Sequence, residues 1–453
     1  MAKGKKQGLS AEELLEQALI PSNEQPYEVL GNWIWTRLGN LVTTSKEKTD
    51  EFTNKDYKYI GLEHMQKDSG IIGFGSPHEL KSLKNVFHTG DILYGKLRPY
   101  LNKHDIVEFD GVCSTDILVF KVGGLTNSKF LNYFLDTDLF IEYAVSNSKG
   151  INLPRVSEGI LMDAIVPLPP LAEQQRIVDC IENMFAKLDQ AKELAQNALD
   201  SFETRKAAIL HKAFTGELTA KWREGRGLSM DSWNTMPLSK LAYIQTGLAK
   251  GKQNNSVTTT MPYLRVANVQ DGYLDLSEVK LITVEKDKIE RYRLKQGDVL
   301  FTEGGDYDKL GRGTVWRAEI DNCLHQNHVF AVRPDPTLLN SFYLAYLASS
   351  RYGKTYFLSC SKQTTNLASI NSTQLKAFPV FFPSVIEQQE IVRILDTLLE
   401  KEQSAKDKLE SLLDQIDLIK KSILARAFRG ELGTNDPSEE SALVLLNEVI
   451  LPQ

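Results

Sequence analysis

Residues 165–178 read IVPLPPLAEQQRIV and residues 379–392 read PVFFPSVIEQQEIV, so that Glu173-Gln174-Gln175 and Glu387-Gln388-Gln389 stand 214 positions apart. Further on, AFTGEL (Ala213–Leu218) returns as AFRGEL (Ala427–Leu432) at the same offset. One spacing held at both ends of a segment of about 45 residues marks an internal repeat. The preceding regions repeat more loosely. Gly90-Asp91-Ile92-Leu93 matches Gly297-Asp298-Val299-Leu300, Cys113 and Val119-Phe120 match Cys323 and Val329-Phe330, and Asn152-Leu153 matches Asn366-Leu367. Near the starts, Trp33 and Leu38 match Trp233 and Leu238. The offset rises along the chain because the second copy carries small insertions, as loops do.

The segments from Ala172 to Phe214 and from Val385 to Phe428 lack Pro and Gly. Along the second, positions spaced four and three apart hold Ile391, Leu395, Leu398, Glu402, Ala405, Leu409, Leu412, Ile416, Ile419 and Ile423. The matched positions of the first run from Ile177 to Ile209, with small residues in the middle at Ala191, Ala195 and Ala198. A 3.5-residue apolar repeat is a coiled-coil seam. Each copy breaks it once, at Arg205 or Glu402. Ser384 and Glu387 read as a capping box, and Gly216 and Gly430 sit where left-handed helix caps belong. An antiparallel pairing centred on Ala195 and Leu409 sets small residues against large ones.

The halves that precede these helices alternate short β-branched and aromatic runs with turn residues, as α+β domains do. The expected division is an N-terminal helix and linker (1–30), a first α/β domain (31–165), a central spacer helix and linker (166–231), a second α/β domain (232–378), a C-terminal spacer helix (379–432) and a tail helix (433–453). The fold class is α+β, two α/β domains in tandem repeat separated by a pair of long antiparallel coiled-coil helices.

Chemistry of catalysis is sparse. The 453 residues hold seven His without metal-ligand spacing and four scattered Cys, which fits a reducing cytoplasm and no resident metal. Cys113 and Cys323 fall at matched positions beside strands and read as packing. Thr246–Gln253 is glycine-rich without the Walker spacing, and Asp56-Tyr57-Lys58 is an isolated D-x-K string. No stretch is apolar enough for a membrane span. The formal charge of −6 divides unevenly: residues 31–165 hold 15 Lys plus Arg against 17 Asp plus Glu, and residues 232–378 hold 18 against 13. The second domain is basic, and the acidity lies mostly on the helices and ends.

Two loop-bearing domains held apart by a spacer suit two separated sites on a long polymer, and basic and amide side chains in the loops suit DNA. The repeat sorts the candidates. Shared positions build the frame, and polar positions that differ between copies specify. The DNA-binding candidates in the first domain are Lys96, Arg98, Tyr100, Asn102, Lys103 and Lys149. In the second they are Arg265, Asn268, Gln270, Lys309, Arg312, Gln326, Asn327, His328, Lys362 and Gln363. Glu173, Gln174, Gln175, Glu387, Gln388 and Gln389 are the spacer and partner-binding candidates.

The paired PLPPLAEQQRIV and FPSVIEQQEIV motifs, each leading into a long helix that ends AF-x-GEL, resemble the specificity subunit of type I restriction–modification enzymes over about residues 27–432. The resemblance implies two target recognition domains, each reading half of a bipartite, gapped double-stranded DNA target. It implies that the helices set the gap and dock two modification (methyltransferase) subunits, with restriction (translocase/nuclease) subunits as further partners. This chain then binds no cofactor itself. S-adenosylmethionine, ATP and Mg belong to the partner subunits. Two other classes compete: a coiled-coil adaptor that binds only protein, and a stand-alone DNA methyltransferase or nuclease, which the missing catalytic motifs disfavour.

Overall fold

The computed structural model describes residues 11–51, 57–67, 69–76, 82–249, 257–305, 310–363 and 368–450. The chain divides into two compact units, the first made of Met1–Ala195 with Ser411–Gln453 and the second of Gln196–Glu410. The elements used below are, in chain order, α1 (Ala11–Ala18), β1 (Ile34–Arg37), β2 (Val42–Thr44), β3 (Ile92–Gly95), β4 (His104–Ile106), β5 (Ile117–Val122), β6 (Ile165–Leu168), α2 (Leu171–Asp200) and α3 (Phe202–Phe214). They continue with β7 (Asn234–Pro237), β8 (Ala242–Thr246), β9 (Val299–Thr302), β10 (Gly313–Val315), β11 (Val329–Pro334), β12 (Pro379–Phe382), α4 (Val385–Ala427) and α5 (Ala442–Ile450).

The repeat is visible in the sheets. In the first unit an antiparallel sheet has the order β2-β5-β3-β4, and in the second the matching sheet has the order β8-β11-β9-β10. A second sheet in each unit holds one parallel pair, Lys58–Ile60 with Gly111–Cys113 and then Tyr263–Leu264 with Leu324–His325. Gly90 and Gly297 adopt φ of +92° and +89°, which only glycine takes at low cost. Each opens the turn into β3 or β9. The next residue closes that turn from its side chain, Asp91 accepting from His88 N–H and Asp298 from Lys295 N–H, both at 2.8 Å.

The helices run as an antiparallel pair, seen inside each unit. In the first, Lys192 meets Asp417 at 2.8 Å and Lys420 meets Asp189 at 2.5 Å. In the second, Arg205 meets Glu402 at 2.8 Å and Lys406 lies over the Phe202 ring. The two seam-breaking residues of the sequence are therefore each other's partner. Their pairing accompanies two corrections. Ala405, Leu412 and Ile419 are exposed, and the covered stripe steps instead from Glu402 to Lys406, Leu409, Leu413, Ile416, Lys420 and Ile423. The seven-residue spacing of Glu402, Leu409, Ile416 and Ile423 is kept, and only the positions between them move by one residue. The Lys192–Asp417 register sets Ala195 opposite Asp414, not Leu409. The first helix is also interrupted at Ser201, where Arg205 Nη1 donates to the Ala198 carbonyl at 2.9 Å and to Ser201 Oγ. A side chain bonded into the helical ladder is a recognised cause of a break.

The first core gathers Trp33, Phe130, Phe134 and Ile177 with Phe428, Ala442 and Leu446 from the end of the chain. Phe428 stands 4.9 Å from the Phe130 ring and 5.4 Å from Phe134. Truncating it to Ala is worth about 3–5 kcal/mol by analogy with other buried aromatics. Helices α1 and α5 pack on each other in this unit. In the second core Phe214, Trp233, Tyr343 and Ile391 hold the equivalent places. Gly216 and Gly430 have φ of +79° and +73° and end their helices as expected.

Candidate nucleic-acid interface

In the first unit three loops converge beyond β3. Lys96 N–H donates to the Asp116 carbonyl at 2.9 Å, and Val156 N–H donates to the Lys96 carbonyl at 3.1 Å. Leu97 and Lys149 each bridge Arg155, and Arg98 N–H donates to the Pro154 carbonyl at 2.7 Å. Arg98 itself has φ of +52°, an unusual backbone for a side chain that is exposed. The face thus carries Lys96, Arg98, Lys149 and Arg155, with Tyr100 exposed nearby. Asp116 holds the Arg155 guanidinium at 2.7 Å. Burial pushes the Lys96 amine below its ordinary value, with the Arg155 and Lys48 charges adding to the effect and Asp116 and Glu158 opposing it. A domain with no net positive charge therefore concentrates cations on one face, which suits phosphate or guanine contacts.

The second unit repeats this frame with other side chains. Glu303 N–H donates to the His328 carbonyl at 2.9 Å, and Ile370 N–H donates to the Glu303 carbonyl at 2.7 Å. Gly304 and Lys362 both pair with Ser369. So Glu303 stands for Lys96, His328 for Asp116, Lys362 for Lys149 and Ser369 for Arg155. Lys362 and His328 are exposed, and His328 Nδ1 bonds to Glu303. Gln326 and Asn327 are half-buried on the same loop. Gln363 pairs with Ala368 through its backbone.

Other candidates have structural employment. Asn102 is buried, with φ of +40°, and its amide donates to the Leu135 carbonyl at 3.0 Å and to Asp136 at 3.1 Å. Asn268 is buried too, accepting from Arg265 N–H and donating to the Asp275 and Glu278 carbonyls. Neither offers its amide to a ligand, which corrects the expectation that these two asparagines bind DNA. The Asn102 amide ties its loop to the end of the Ser128–Leu135 helix, and the Asn268 side chain closes its own turn and holds the 275–278 loop. Lys103 donates to the Leu62 carbonyl at 2.7 Å. Arg265 pairs with Glu278, and Arg312 donates to Gln270 at 2.9 Å. Lys309 lies outside the described residues, as do Asp56, Lys250–Gln253 and Asn366-Leu367.

The EQQ triplets divide by position. Gln174 accepts from Asn127 N–H at 2.8 Å and donates to the Leu125 and Pro169 carbonyls. Gln388 accepts from Asn340 N–H at 2.7 Å and donates to the Leu338 and Pro383 carbonyls. Glu173 receives Trp33 Nε1 and Asn435, both at 2.7 Å, and Glu387 receives Thr219 at 2.7 Å and Arg223 at 2.6 Å. These four side chains are buried, so they fasten each helix start to its domain and to the segment after the other helix's end. That overturns partner contact for them and leaves Gln175 and Gln389, which are exposed. It also halves the expected capping box: Ser384 Oγ accepts from Glu387 N–H at 3.4 Å, while the Glu387 carboxylate turns inward.

Arg155 and Glu303 were not singled out from the sequence. The signal was present, because extending the Asn152–Asn366 offset pairs Arg155 with Ser369, a polar pair that differs between copies. Cys113 and Cys323 are buried, and burial pushes the Cys323 thiol up to about 12, as packing residues require. Among the described residues no group of His, Cys, Asp and Glu is placed to hold a metal, and no helix is long and apolar enough to cross a membrane.

Two copies of one loop-bearing α/β frame, each anchored to an antiparallel helix pair, define a duplicated recognition protein. Residues 32–198 and 230–414 match the model of the type I restriction modification DNA specificity domain. The chain is 26% identical over 338 residues to the EcoKI specificity subunit of Escherichia coli K12, spanning 74% of this chain and 71% of that one. It is 32% identical over 204 residues to the E. coli EcoDI specificity subunit, spanning 44% and 46%. The HsdS subunit from Thermoanaerobacter tengcongensis has the same fold, with a TM-score of 0.62 at 21% identity over 90% of this chain and all of that one. The chain belongs to the type I restriction–modification specificity subunits, and its role is DNA sequence specificity exercised by two domains.

Proposed function

We propose that each unit reads one half of a bipartite, gapped duplex target through its three-loop face, and that the helix pair sets the gap and docks two methyltransferase subunits. The carrying observation is one frame with two sets of side chains: Lys96, Asp116 and Arg155 in the first unit, Glu303, His328 and Ser369 in the second. A shared frame with different polar groups is what two half-sites of different sequence demand. The chain is non-catalytic on this reading. S-adenosylmethionine binds in the modification subunits, ATP and Mg in restriction subunits, and the complex works in the cytoplasm. Exposed Gln389, beside the second helix start, is available to those partners, while exposed Gln175 already bonds Asn127 and Asp179.

Co-expression with a modification subunit, followed by genome-wide mapping of methylated adenine, tests the proposal. A two-part motif with a fixed gap is expected. A single uninterrupted motif, or unmethylated DNA, overturns it, and methyl transfer by the purified chain alone overturns the non-catalytic assignment.

A further inference from the structure

The two units differ in what fills one corner of the repeat. In the first, Trp35 on β1 is buried opposite Pro167, and the Tyr27 ring stands edge-on to it at 4.9 Å. The Tyr27 hydroxyl donates to the Phe428 carbonyl at 2.9 Å, and the Arg429 guanidinium lies over its ring. The chain itself closes the outer edge of β1: Ile20 N–H donates to the Trp35 carbonyl at 3.1 Å, and Leu19 bridges Thr36 in the antiparallel sense.

The second unit keeps the frame and lacks the filling. Thr235 faces Phe381 across β7 and β12, as Trp35 faces Pro167. Trp233 N–H donates to the Met230 carbonyl at 3.0 Å, as Trp33 N–H does to Leu30 at 2.8 Å. On that alignment Thr235 replaces Trp35 and Gly227 replaces Tyr27. A cavity of about 540 Å³ stands beside Phe381, the partner of Thr235, and beside Phe214, the match of the Phe428 that Tyr27 bonds; Leu210, Tyr352, Tyr356 and Pro379 also line it. All four residues of β7 are exposed, including Met236, and among the described residues only β12 pairs with this strand.

The geometry points to this cavity and strand edge as a docking site for an extended segment of a partner subunit, which pairs along Thr235–Met236 and seats an aromatic side chain against Phe214 and Phe381. Its chemistry is set by the occupant of the first unit, residues 18–27 (ALIPSNEQPY), a nearly uncharged stretch with Pro and a terminal Tyr. Strand addition supplies affinity through main-chain bonds and a pocket supplies selectivity. Pro237 has no N–H to offer, so pairing stops at Met236, the position matched to Thr36, where the bridge in the first unit lies. The cavity falls within the usual size of a ligand pocket, roughly 300–1,000 Å³. The inference rests on the assembly reading above for the source of the segment, but not for the site.

Two arms test it with the full chain. A synthetic ALIPSNEQPY peptide, its Tyr replaced by photoreactive benzoylphenylalanine, is expected to label residues 210–215, 351–356 or 379–381. Restoring the first unit's bulky ring beside Phe381 with Thr235→Trp, or placing charge at the exposed edge with Met236→Lys, should cut that labelling by about tenfold or more, a loss of about 1.4 kcal/mol. Labelling elsewhere, or labelling indifferent to both variants, overturns the site. In the second arm benzoylphenylalanine replaces Met236 in a chain co-expressed with a modification subunit, with exposed Leu281 as the comparison position. Cross-linking to the partner from 236 alone supports the assignment. A complex that forms without that cross-link, or cross-linking to a second copy of this chain, overturns the partner segment while the assembly reading stands. Failure of any complex to form strikes the assembly reading, and the peptide arm then decides the site.

Discussion

Glu173 and Glu387 hold the same place in the repeat and are equally buried, yet the first unit meets its carboxylate with neutral donors and the second with a guanidinium. Trp33 Nε1, Asn435 and Thr434 bond to Glu173. Around Glu387 the indole N–H of Trp233 has no hydrogen-bond partner among the described residues, and Arg223 with Thr219 takes over one carboxylate oxygen. The matched turns differ in the same manner. Buried Asp298 holds Arg333 through two bonds of 2.7 Å. The strand register, with Phe120 opposite Ile92 and Val332 opposite Val299, shifts the match of Val119 with Val329 by two residues and sets Lys121 at the place of Arg333, where it acts on Asp91 only as a charge. Duplicated frames thus keep the acidic anchor and exchange what neutralises it. The second unit depends more on charge pairing.

The largest test of that contrast is at the anchors. Arg223→Met strands a buried carboxylate and should cost the second unit about 3–5 kcal/mol. Glu173→Gln keeps an acceptor for the neutral donors and should cost the first about 1–3 kcal/mol. Chemical denaturation, with limited proteolysis to assign the unit that opens, measures both; equal losses would erase the distinction. Next come the reading faces. Lys96→Ala with Arg155→Ala should weaken binding by about 1–3 kcal/mol for each base-reading side chain removed, and relax only the half-site read by the first unit. Glu303→Lys should alter only the other half. Competition with duplexes altered in one half-site decides this, and joint change in both halves breaks the modular account.

A smaller effect concerns pH. His104 lies between Asp136 at 3.0 Å and Asn132 at 2.8 Å; burial alone lowers its pKa, but the Asp136 charge and hydrogen bonds prevail and hold it raised. Its contribution is complete below the ordinary histidine value near 6.5 and lost as pH rises through the raised one. His325, whose Nδ1 donates to the Val329 carbonyl at 2.7 Å, is shifted the other way by burial. Its contribution is complete above about 6.5 and fades as pH falls below it. Raising the pH across this window should therefore weaken the first unit and strengthen the second, followed by unit-resolved hydrogen exchange. His104→Asn and His325→Asn should each abolish one slope. Smallest is the seam: replacing Arg205 and Glu402 together by Leu should change stability by no more than about 1 kcal/mol, because the pair is partly exposed. Slower amide exchange at residues 198–205 would show the helix closing over its break.

Much of this was legible in the sequence because the chain is written twice. The Gly90 and Gly297 turns, the helix caps at Gly216 and Gly430 and the EQQ anchors are local or repeated, and each appears where the motif stands. Three-dimensional convergence was less legible. Asn102 and Asn268 looked like base readers because an amide bonds protein carbonyls with the same groups that bind adenine, and burial separates the two uses. Arg155 went unnoticed because it meets Lys96 only when loops far apart in sequence fold together. The seam moved by one residue at its alternate positions because a stripe through Lys406, Leu413 and Lys420 covers lysine stems as readily as apolar side chains.

The segmentation of the first unit bears on the order of folding. Its core requires Phe428, Ala442 and Leu446 beside Trp33 and Phe130, so residues made early wait for residues made some three hundred positions later. The second unit is continuous from Gln196 to Glu410 and has all its residues some forty positions earlier. During synthesis the second unit closes first, and the nascent first domain stays unsealed until Phe428, Ala442 and Leu446 have been added. A chain cut short after Glu410 should then keep a folded second unit and expose the apolar interior of the first, making premature termination a loss of one half of the molecule rather than of both.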